Sequence, residues 1–291
     1  MKRVLPGVVV AAHGRHYLVR LDDDHLLNCF PRGKKSNLAC GDRVTIERTA
    51  PDQGVITELA QRTSLFFRSD EYREKLIAAN VTQIVVVVAT EPGFSDELMS
   101  RCLAAAEEQR IGAAIVLNKV DLTAHLETTR AQLEPFRRAG YAVVELSAKS
   151  GAAALAPLLH GQISILVGQS GMGKSTLVNA LVPDARAATR EISAALDSGK
   201  HTTTFSRLYR IDRNSALIDS PGLQVFGLAH LSRQDVEAAF PEFRPYLGNC
   251  RFRDCRHNTE PGCALRAAVQ QGTLDSRRFA HFHAIAGEPI R

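Results

Sequence analysis

The chain has 291 residues, of which 45% are hydrophobic and 23% are charged, and its formal net charge is +5. This composition is typical of a soluble globular protein of two or three domains, and the mild positive charge permits a polyanionic partner without requiring one. No apolar run approaches the length of a membrane span or a signal peptide, so we expect a cytoplasmic protein without a membrane partner.

Residues 1–62 are predicted to form a small β domain, because short apolar runs alternate there with turn sequences. Strands of this number and spacing indicate an OB-like barrel, a fold often used to bind RNA. The densest basic loop is either an RNA contact or a solvated hairpin tip, and it contains Arg32, Lys34 and Lys35. The clearest strand runs are Gly7–Val10, Tyr17–Val19, Leu26–Phe30 and Arg43–Ile46.

Residues 63–80 are predicted as a connector. Residues 81–228 alternate strand and helix signals, as a doubly wound parallel sheet does. Ser95 is predicted to cap a helix that ends near Gln109, and a second helix is predicted over Leu126–Arg138. The predicted strands of this α/β domain are Ile84–Ala89, Ile115–Leu117, Val143–Leu146, Ile163–Val167, Leu208–Ile211 and Ala216–Ile218.

A phosphate-binding loop is predicted at residues 168–175, where G-x-x-x-x-G-K-S follows an apolar strand and precedes a helix. The glycines let backbone N–H groups face a phosphate, and the helix N-terminus adds partial positive charge. Lys174 would reach the β- and γ-phosphates, and the Ser175 hydroxyl would bind Mg²⁺. The predicted phosphate-binding residues are Gly168, Gln169, Ser170, Gly171, Met172, Gly173, Lys174, Ser175 and Thr176.

Two strand ends carry residues suited to read a guanine base. The Asp121 carboxylate could accept hydrogen bonds from the N1–H and the exocyclic amine of guanine, a donor pair that adenine lacks. Lys119 would lay its alkyl stem across the base, Asn118 would tie the loops together, and the backbone N–H of Ala148 would add a second base contact. Together with the phosphate loop, this indicates GTP, read by Asn118, Lys119, Asp121, Ser147, Ala148 and Lys149.

The D-x-P-G motif at residues 219–222 ends the last predicted strand and suits a γ-phosphate sensor. Asp219 would hold Mg²⁺ through water, and the Gly222 N–H would sense the γ-phosphate. Three threonines in the loop at 200–204 compete to complete the Mg²⁺ shell, and we favour Thr203. The predicted Mg²⁺ ligands are therefore Ser175, Thr203 and Asp219.

The residue that orients the attacking water is an open question in this sequence. Many GTPases place a glutamine directly after D-x-x-G, and here that position holds Leu223, which cannot orient water. His201 is the best candidate for this role, and Gln224 is a weaker one. The predicted catalytic residues are His201, Lys174 and Thr203.

The motifs stand in a shifted order, with N-K-x-D and S-A-K before the phosphate loop and D-x-P-G after it. A cyclic shift of this kind leaves every strand in its place in the sheet and moves only the chain ends. The segment after Gly222 therefore leads directly into the C-terminal domain, and we infer that this domain responds to the nucleotide state.

A metal site is predicted at residues 250–263, where three of the six cysteines lie close to a histidine. In a cytosolic chain such a cluster indicates metal binding instead of disulfides. Four soft ligands without an obvious vacancy indicate a closed, structural Zn²⁺ site in preference to a catalytic one. Arg251, Arg253 and Arg256 lie among the ligands and would face either RNA phosphates or solvent. The predicted ligands are Cys250, Cys255, His257 and Cys263.

This combination resembles the circularly permuted, ribosome small-subunit-dependent GTPases of the RsgA family, and the resemblance covers nearly the whole chain. It implies an OB-like barrel (1–62), a permuted P-loop GTPase domain (81–228) and a mainly helical zinc-binding domain (229–291). It further implies a monomer that hydrolyses GTP when the 30S subunit stimulates it, late in maturation, with the barrel and the zinc domain on 16S rRNA.

Two alternatives stay open on the residues alone. The chain could be a GTP-dependent RNA-binding switch that acts on non-ribosomal RNA, since the barrel and the zinc knuckle fit that role equally well. It could also be a protein-binding scaffold in which the bound nucleotide is structural and does not turn over.

Overall fold

The structure is a computed structural model that describes residues 4–33, 37–182, 185 and 205–287. Four residues named above, Lys34, Lys35, His201 and Thr203, lie outside this range.

The N-terminal strands close into a five-stranded barrel, as predicted. The strand order is β1-β2-β3-β5-β4, and β4 pairs back onto β1 to complete the barrel. β3 and β5 run parallel, and the other neighbours run antiparallel. Alternating apolar side chains fill the interior, among them Val9, Val19 and Ile46. The strands are β1 (Val4–His13), β2 (His16–Leu21), β3 (Leu26–Pro31), β4 (Arg43–Ala50) and β5 (Gln53–Leu59).

The range predicted as a connector contains a β-hairpin made of β6 (Leu65–Ser69) and β7 (Glu74–Ala79). Its second strand is attached to the barrel, because the Ala79 N–H donates to the Cys40 carbonyl at 2.8 Å. The Asn80 side chain adds a second link by donating to the carbonyl of Gly41 at 2.9 Å. The hairpin therefore joins the barrel to the next domain through backbone pairing.

The central sheet has the order β10-β9-β8-β11-β13-β12. Its first five strands are parallel, and β12 is antiparallel to β13. β12 also pairs with β1 of the barrel through Arg207 and Ala11, so the barrel continues the sheet. The strands are β8 (Gln83–Ala89), β9 (Gly112–Asn118), β10 (Ala142–Glu145), β11 (Ile163–Val167), β12 (Arg207–Arg210) and β13 (Ala216–Asp219).

Helices cover both faces of this sheet, and its central strand β8 is therefore buried on both sides. Every residue of β8 is buried. Val86 and Val88 belong to the core on one face, whereas Val85 and Val87 belong to the core on the other. The helices are α1 (Asp96–Glu108), α2 (Leu126–Arg138), α3 (Ala156–Leu159), α4 (Lys174–Leu181), α5 (Arg233–Ala238), α6 (Ala264–Gln270) and α7 (Ser276–Ala286).

Helix α1 begins where the sequence predicted, since the Ser95 hydroxyl accepts a hydrogen bond from the Leu98 N–H at 3.1 Å. Among the described residues, no helix combines the length and the apolar character needed to cross a membrane.

The C-terminal helices dock on α1 through a buried polar contact. Arg278 of α7 is 2% exposed, and its Nε lies 2.6 Å from Oε1 of Glu242. The same guanidinium donates to the Ser100 hydroxyl of α1 at 2.7 Å and lies over the rings of Phe136 and Phe240. This contact fixes the C-terminal part of the chain against the helices of the central α/β domain.

Candidate nucleotide site and metal site

The phosphate loop has the backbone conformation that only glycine adopts easily. Gly168, Gly171 and Gly173 have φ angles of 145°, 84° and 91°. A Cβ on Gly168 would lie 2.2 Å from the carbonyl oxygen of Val87. The loop therefore packs closely on the end of β8, and any side chain at residue 168 would push the two apart.

Lys174 lies inside this loop at the start of α4. Its Nζ donates to the carbonyls of Gly168 and Gln169 at 2.7 and 2.9 Å. Burial lowers the pKa of the ammonium, and the nearby Asp219 carboxylate opposes that shift. The ammonium thus sits at the centre of the loop, where a bound phosphate would meet it. Ser175, the next residue, is exposed in the first turn of α4.

Asn118 joins the phosphate loop to the loop at residues 147–149. Its Nδ2 donates to the Met172 carbonyl at 2.9 Å, and its Oδ1 accepts from the Ala148 N–H at 2.9 Å. The Asn118 side chain is 1% exposed. The Ala148 N–H, which we predicted to contact the base, is thus occupied by Asn118 in this structure. A base contact would have to share or replace that hydrogen bond.

Asp121 and Lys119 lie beside the same two loops. The interaction with the Ser147 side chain is the main cause that lowers the pKa of the exposed Asp121 carboxyl. Asp121 is therefore held in its ionised form, ready to accept hydrogen bonds. The Lys119 Nζ donates to the carbonyl of Glu91 at 2.8 Å.

The D-x-P-G segment packs directly against the phosphate loop. The Leu223 N–H donates to the Gly168 carbonyl at 3.0 Å. A Cβ on Gly222 would lie 3.0 Å from the backbone of Ser170. Asp219 is buried at the end of β13. Leu223 itself is buried, so its apolar side chain cannot orient water, while Gln224 beside it is exposed.

These loops converge because the carboxyl ends of parallel strands meet at one edge of a sheet. The loops at residues 118–121, 147–149, 168–175 and 219–222 follow β9, β10, β11 and β13 at this edge. Sequence analysis did not single out Thr90 and Glu91, which follow β8 at the same edge. Their position directly after a buried strand was the signal that could have revealed them.

The four predicted metal ligands also converge. Their ligand atoms all lie within 4.8 Å of one another. The His257 Nδ1 is 3.2 Å from the Cys263 Sγ and 3.6 Å from the Cys250 Sγ, and the two sulfurs are 4.0 Å apart. In a tetrahedral zinc site such atoms are roughly 3.5 to 3.8 Å apart, given bonds of about 2.0 to 2.3 Å. Together with Cys255, the donor set therefore fits zinc.

Groups outside this cluster orient its members. Glu237 of α5 lies 3.3 Å from the Nε2 of His257, a contact that the sequence did not suggest. The N–H groups of Ala264 and Arg266 point to the sulfurs of Cys250 and Cys263 at 3.3 and 3.5 Å. Burial lowers the pKa of His257, but the hydrogen bonds to Glu237 and Cys263 outweigh it and leave that pKa raised.

The segment that follows D-x-P-G is hydrogen-bonded to the hairpin. The Ser69 N–H donates to the Gly227 carbonyl at 3.0 Å, and the Ser69 hydroxyl lies 2.6 Å from the Nδ1 of His230. Arg68 donates to the carbonyl of Val225. A cleft of about 840 Å³ lies between this segment, the hairpin and the barrel. A displacement of the segment would therefore move the hairpin.

The permuted order of the loops around one parallel sheet defines a circularly permuted P-loop GTPase. The model of the family described as RsgA GTPase matches residues 59–229, which is more than half of the chain. The chain therefore belongs to the RsgA GTPase family, and the prediction of a GTP hydrolase of this family is confirmed.

The similarity to curated relatives extends over nearly the entire chain. A protein of Burkholderia pseudomallei (strain K96243) named small ribosomal subunit biogenesis GTPase RsgA is 55% identical over 287 residues, which are 97% of this chain and 91% of the relative. A protein of the same name from Paraburkholderia phytofirmans is 55% identical over 292 residues, with 97% and 92% covered.

Solved structures agree with the fold. The structure is similar to that of YjeQ from Thermotoga maritima, with a TM-score of 0.72 and 26% sequence identity over 98% of both chains. Similarity to YloQ, described as a circularly permuted GTPase, gives a TM-score of 0.70 at 26% identity and covers 98% of this chain and 94% of YloQ.

Proposed function

We propose that this GTPase acts in late maturation of the small ribosomal subunit, where it binds 16S rRNA and hydrolyses GTP under stimulation by the 30S subunit. The names of the curated relatives support this role. In this proposal the chain is a cytoplasmic monomer with three functional regions. The barrel (1–62) and the metal-binding part (229–291) hold rRNA, and residues 81–228 bind the nucleotide.

The observation that supports coupling to RNA best is the hydrogen-bonded path from D-x-P-G to the barrel. Leu223 is hydrogen-bonded to the phosphate loop, and Gly227 is hydrogen-bonded to the hairpin at Ser69. The hairpin in turn is hydrogen-bonded to the barrel at Cys40. A change at the γ-phosphate would shift this path and alter the barrel surface. Binding of RNA to the barrel would act on the nucleotide site in return, since coupling between two sites is reciprocal.

At the nucleotide, the residues have distinct proposed roles. Lys174 binds the β- and γ-phosphates, and Asp121 and Lys119 recognise guanine. Ser175 and Asp219, with Thr203, are the proposed Mg²⁺ ligands. The bound Mg²⁺ supplies positive charge that offsets the charge developing on the phosphate oxygens. Asn118 keeps the base-binding and phosphate-binding loops in a fixed relation.

His201 is proposed to orient the attacking water once the 30S subunit is bound. The position that holds glutamine in many GTPases is here a buried leucine, Leu223, so hydrolysis by the isolated protein should be slow. His201→Ala should reduce 30S-stimulated turnover and leave GTP affinity intact. Stimulated turnover equal to that of the wild type would exclude His201 from this role.

The metal site is proposed to hold one structural Zn²⁺. It would fix the knuckle on which Arg251, Arg253 and Arg256 contact rRNA phosphates. Arginine suits this task because its planar guanidinium can bind a phosphate through two hydrogen bonds. Zinc contributes folding free energy to such a small unit and takes no part in hydrolysis.

The test is GTP hydrolysis by the purified chain with 30S subunits, with 50S subunits, with tRNA and alone. Stimulation by 30S alone supports the proposal, whereas equal turnover in all mixtures refutes the ribosomal coupling. Lys174→Ala should abolish turnover in every mixture, and full activity in that variant would contradict the proposed phosphate-binding role.

A second candidate is a GTP-dependent switch that acts on non-ribosomal RNA. The barrel and the arginine-bearing knuckle favour it as much as they favour rRNA. Competition between 30S subunits and tRNA for the GTP-bound chain separates the two functions. Preferential binding of tRNA would favour the second.

A further inference from the structure

Lys119 has a backbone conformation that residues other than glycine rarely adopt. Its φ is 60°, in the left-handed region. A conformation of this kind persists only where the surrounding structure holds it, and such residues cluster at binding sites. The contacts that hold Lys119 therefore bear directly on how its side chain is aimed.

The main contact from another strand end comes from Thr90, directly after β8. Thr90 is 3% exposed, and its hydroxyl donates to the Lys119 carbonyl at 2.9 Å. The Leu122 N–H also donates to this carbonyl at 2.9 Å, but it belongs to the same turn. Thr90 therefore ties the carbonyl of Lys119 to the end of β8.

Glu91, the residue after Thr90, holds the side-chain end of Lys119. The Lys119 Nζ donates to the backbone carbonyl of Glu91 at 2.8 Å. Thr90 thus holds the backbone of Lys119, and the next residue, Glu91, holds the tip of its side chain. The alkyl stem between them has little freedom left, which preorganises it for stacking on a flat ring.

The loop that begins at Thr90 also touches the phosphate loop. The Ser95 N–H donates to the Oε1 of Gln169 at 2.6 Å. A Cβ on Gly171 would lie 3.3 Å from the ring of Pro92. The segment between β8 and α1 therefore contacts the base-reading and the phosphate-binding loops at once.

We propose that Thr90 is a positioning residue for guanine recognition, which acts by holding Lys119 in its left-handed conformation over the base. This inference rests on the proposed role of Lys119 and adds the residue that enforces it. Thr90 does not itself touch the nucleotide. It restricts Lys119 before the nucleotide binds, so less conformational entropy is lost on binding.

The test is the equilibrium affinity of Thr90 variants for GDP carrying a fluorescent methylanthraniloyl group. Thr90→Ser keeps the hydroxyl and should bind like the wild type. Thr90→Ala, which differs from Thr90→Ser by that hydroxyl alone, should bind roughly fivefold to tenfold more weakly. Thr90→Val keeps the shape and should lose affinity to the same degree; if it fails to fold, the Ser and Ala pair decides. Equal affinity of the Ser and Ala variants would overturn the proposal.

Two further readouts separate positioning from a general structural defect. Thr90→Ala should raise KM for GTP in the 30S-stimulated reaction by the same factor and leave kcat within twofold. In a Lys119→Ala background the same substitution should cost less than twofold, because Thr90 acts through Lys119. An undiminished loss in that background would overturn the proposal. Absence of guanine-nucleotide binding by the wild type would instead refute the proposed function.

Discussion

The Nδ2 of Asn118 donates to the Met172 carbonyl at 2.9 Å, so a residue at the end of β9 holds the phosphate loop in place. The same nitrogen lies 2.3 Å from the position that a Cβ on Gly173 would take. Glycine at residue 173 therefore serves two purposes. It permits the φ of 91°, and it leaves room for the amide that joins the two loops.

Gly173→Ala should reduce affinity for GDP at least tenfold, because the added methyl displaces Asn118. The free energy of unfolding should fall by about 2 kcal/mol or more, since a buried carbonyl loses its partner and alanine is strained at this φ. Gly140→Ala is the matched control, with a φ of 97° and nothing within 4 Å of its Cβ. That control should cost about 1 kcal/mol and spare GDP binding. Fluorescence titration and urea unfolding measure both, and wild-type affinity in Gly173→Ala would contradict the argument.

Glu237→Ala should weaken zinc binding by about tenfold to 100-fold, because Glu237 orients the imidazole of His257 through its Nε2. Competition with a chromophoric chelator measures the affinity. Glu134→Ala, an exposed glutamate on α2, is the control and should retain zinc like the wild type. Equal zinc affinity in the two variants would show that Glu237 has no part in the metal site.

Arg278→Met should lower the free energy of unfolding by about 3 kcal/mol. It leaves the carboxylate of Glu242 and the hydroxyl of Ser100 without the guanidinium that bridges them. Arg277→Met is the comparison, since the side chain of the neighbouring Arg277 is 44% exposed and its replacement should cost under about 1 kcal/mol. Urea unfolding of both variants measures the difference. Similar losses in the two would mean that the buried contact does not hold the C-terminal helices.

The stability that Asp96 provides should disappear in acid. The hydrogen bond with His281 is the largest contribution that lowers the pKa of Asp96 below its ordinary 3.8, although burial opposes it. A carboxyl with a depressed native pKa contributes its full stability above the unfolded pKa and loses it as the pH falls through the native one. The difference in unfolding free energy between wild type and Asp96→Asn should thus shrink as the pH falls below about 4. A difference that grows in acid would contradict this.

Local patterns made much of the fold and the site predictable. The apolar run of β8, the Ser95 cap and the glycines at 168, 171 and 173 impose their structure on neighbouring residues, so they can be recognised without knowing distant contacts. The four predicted metal ligands lie within fourteen residues of one another, and the structure brings their ligand atoms together. The shifted order of the motifs could also be read directly, because motif order is a property of the sequence alone.

The remaining contacts depend on residues far apart in the chain. The hairpin at 65–79 went unpredicted because its role comes from pairing with Cys40 on one side and Gly227 on the other. Thr90 carries only a weak local signal, its position directly after a buried strand, and Glu237 carries none, since a glutamate in a short helix is common.

The sequence by itself therefore determined which residues are candidates for the site: those of the predicted phosphate loop, the predicted guanine-reading motif and the four predicted metal ligands. Only the tertiary structure decided how these groups are held, with Thr90 beside Lys119 and Glu237 beside His257. The physical reason is that a ligand's identity is a property of one residue, whereas its orientation depends on packing and hydrogen bonds from elements that meet only when the chain folds.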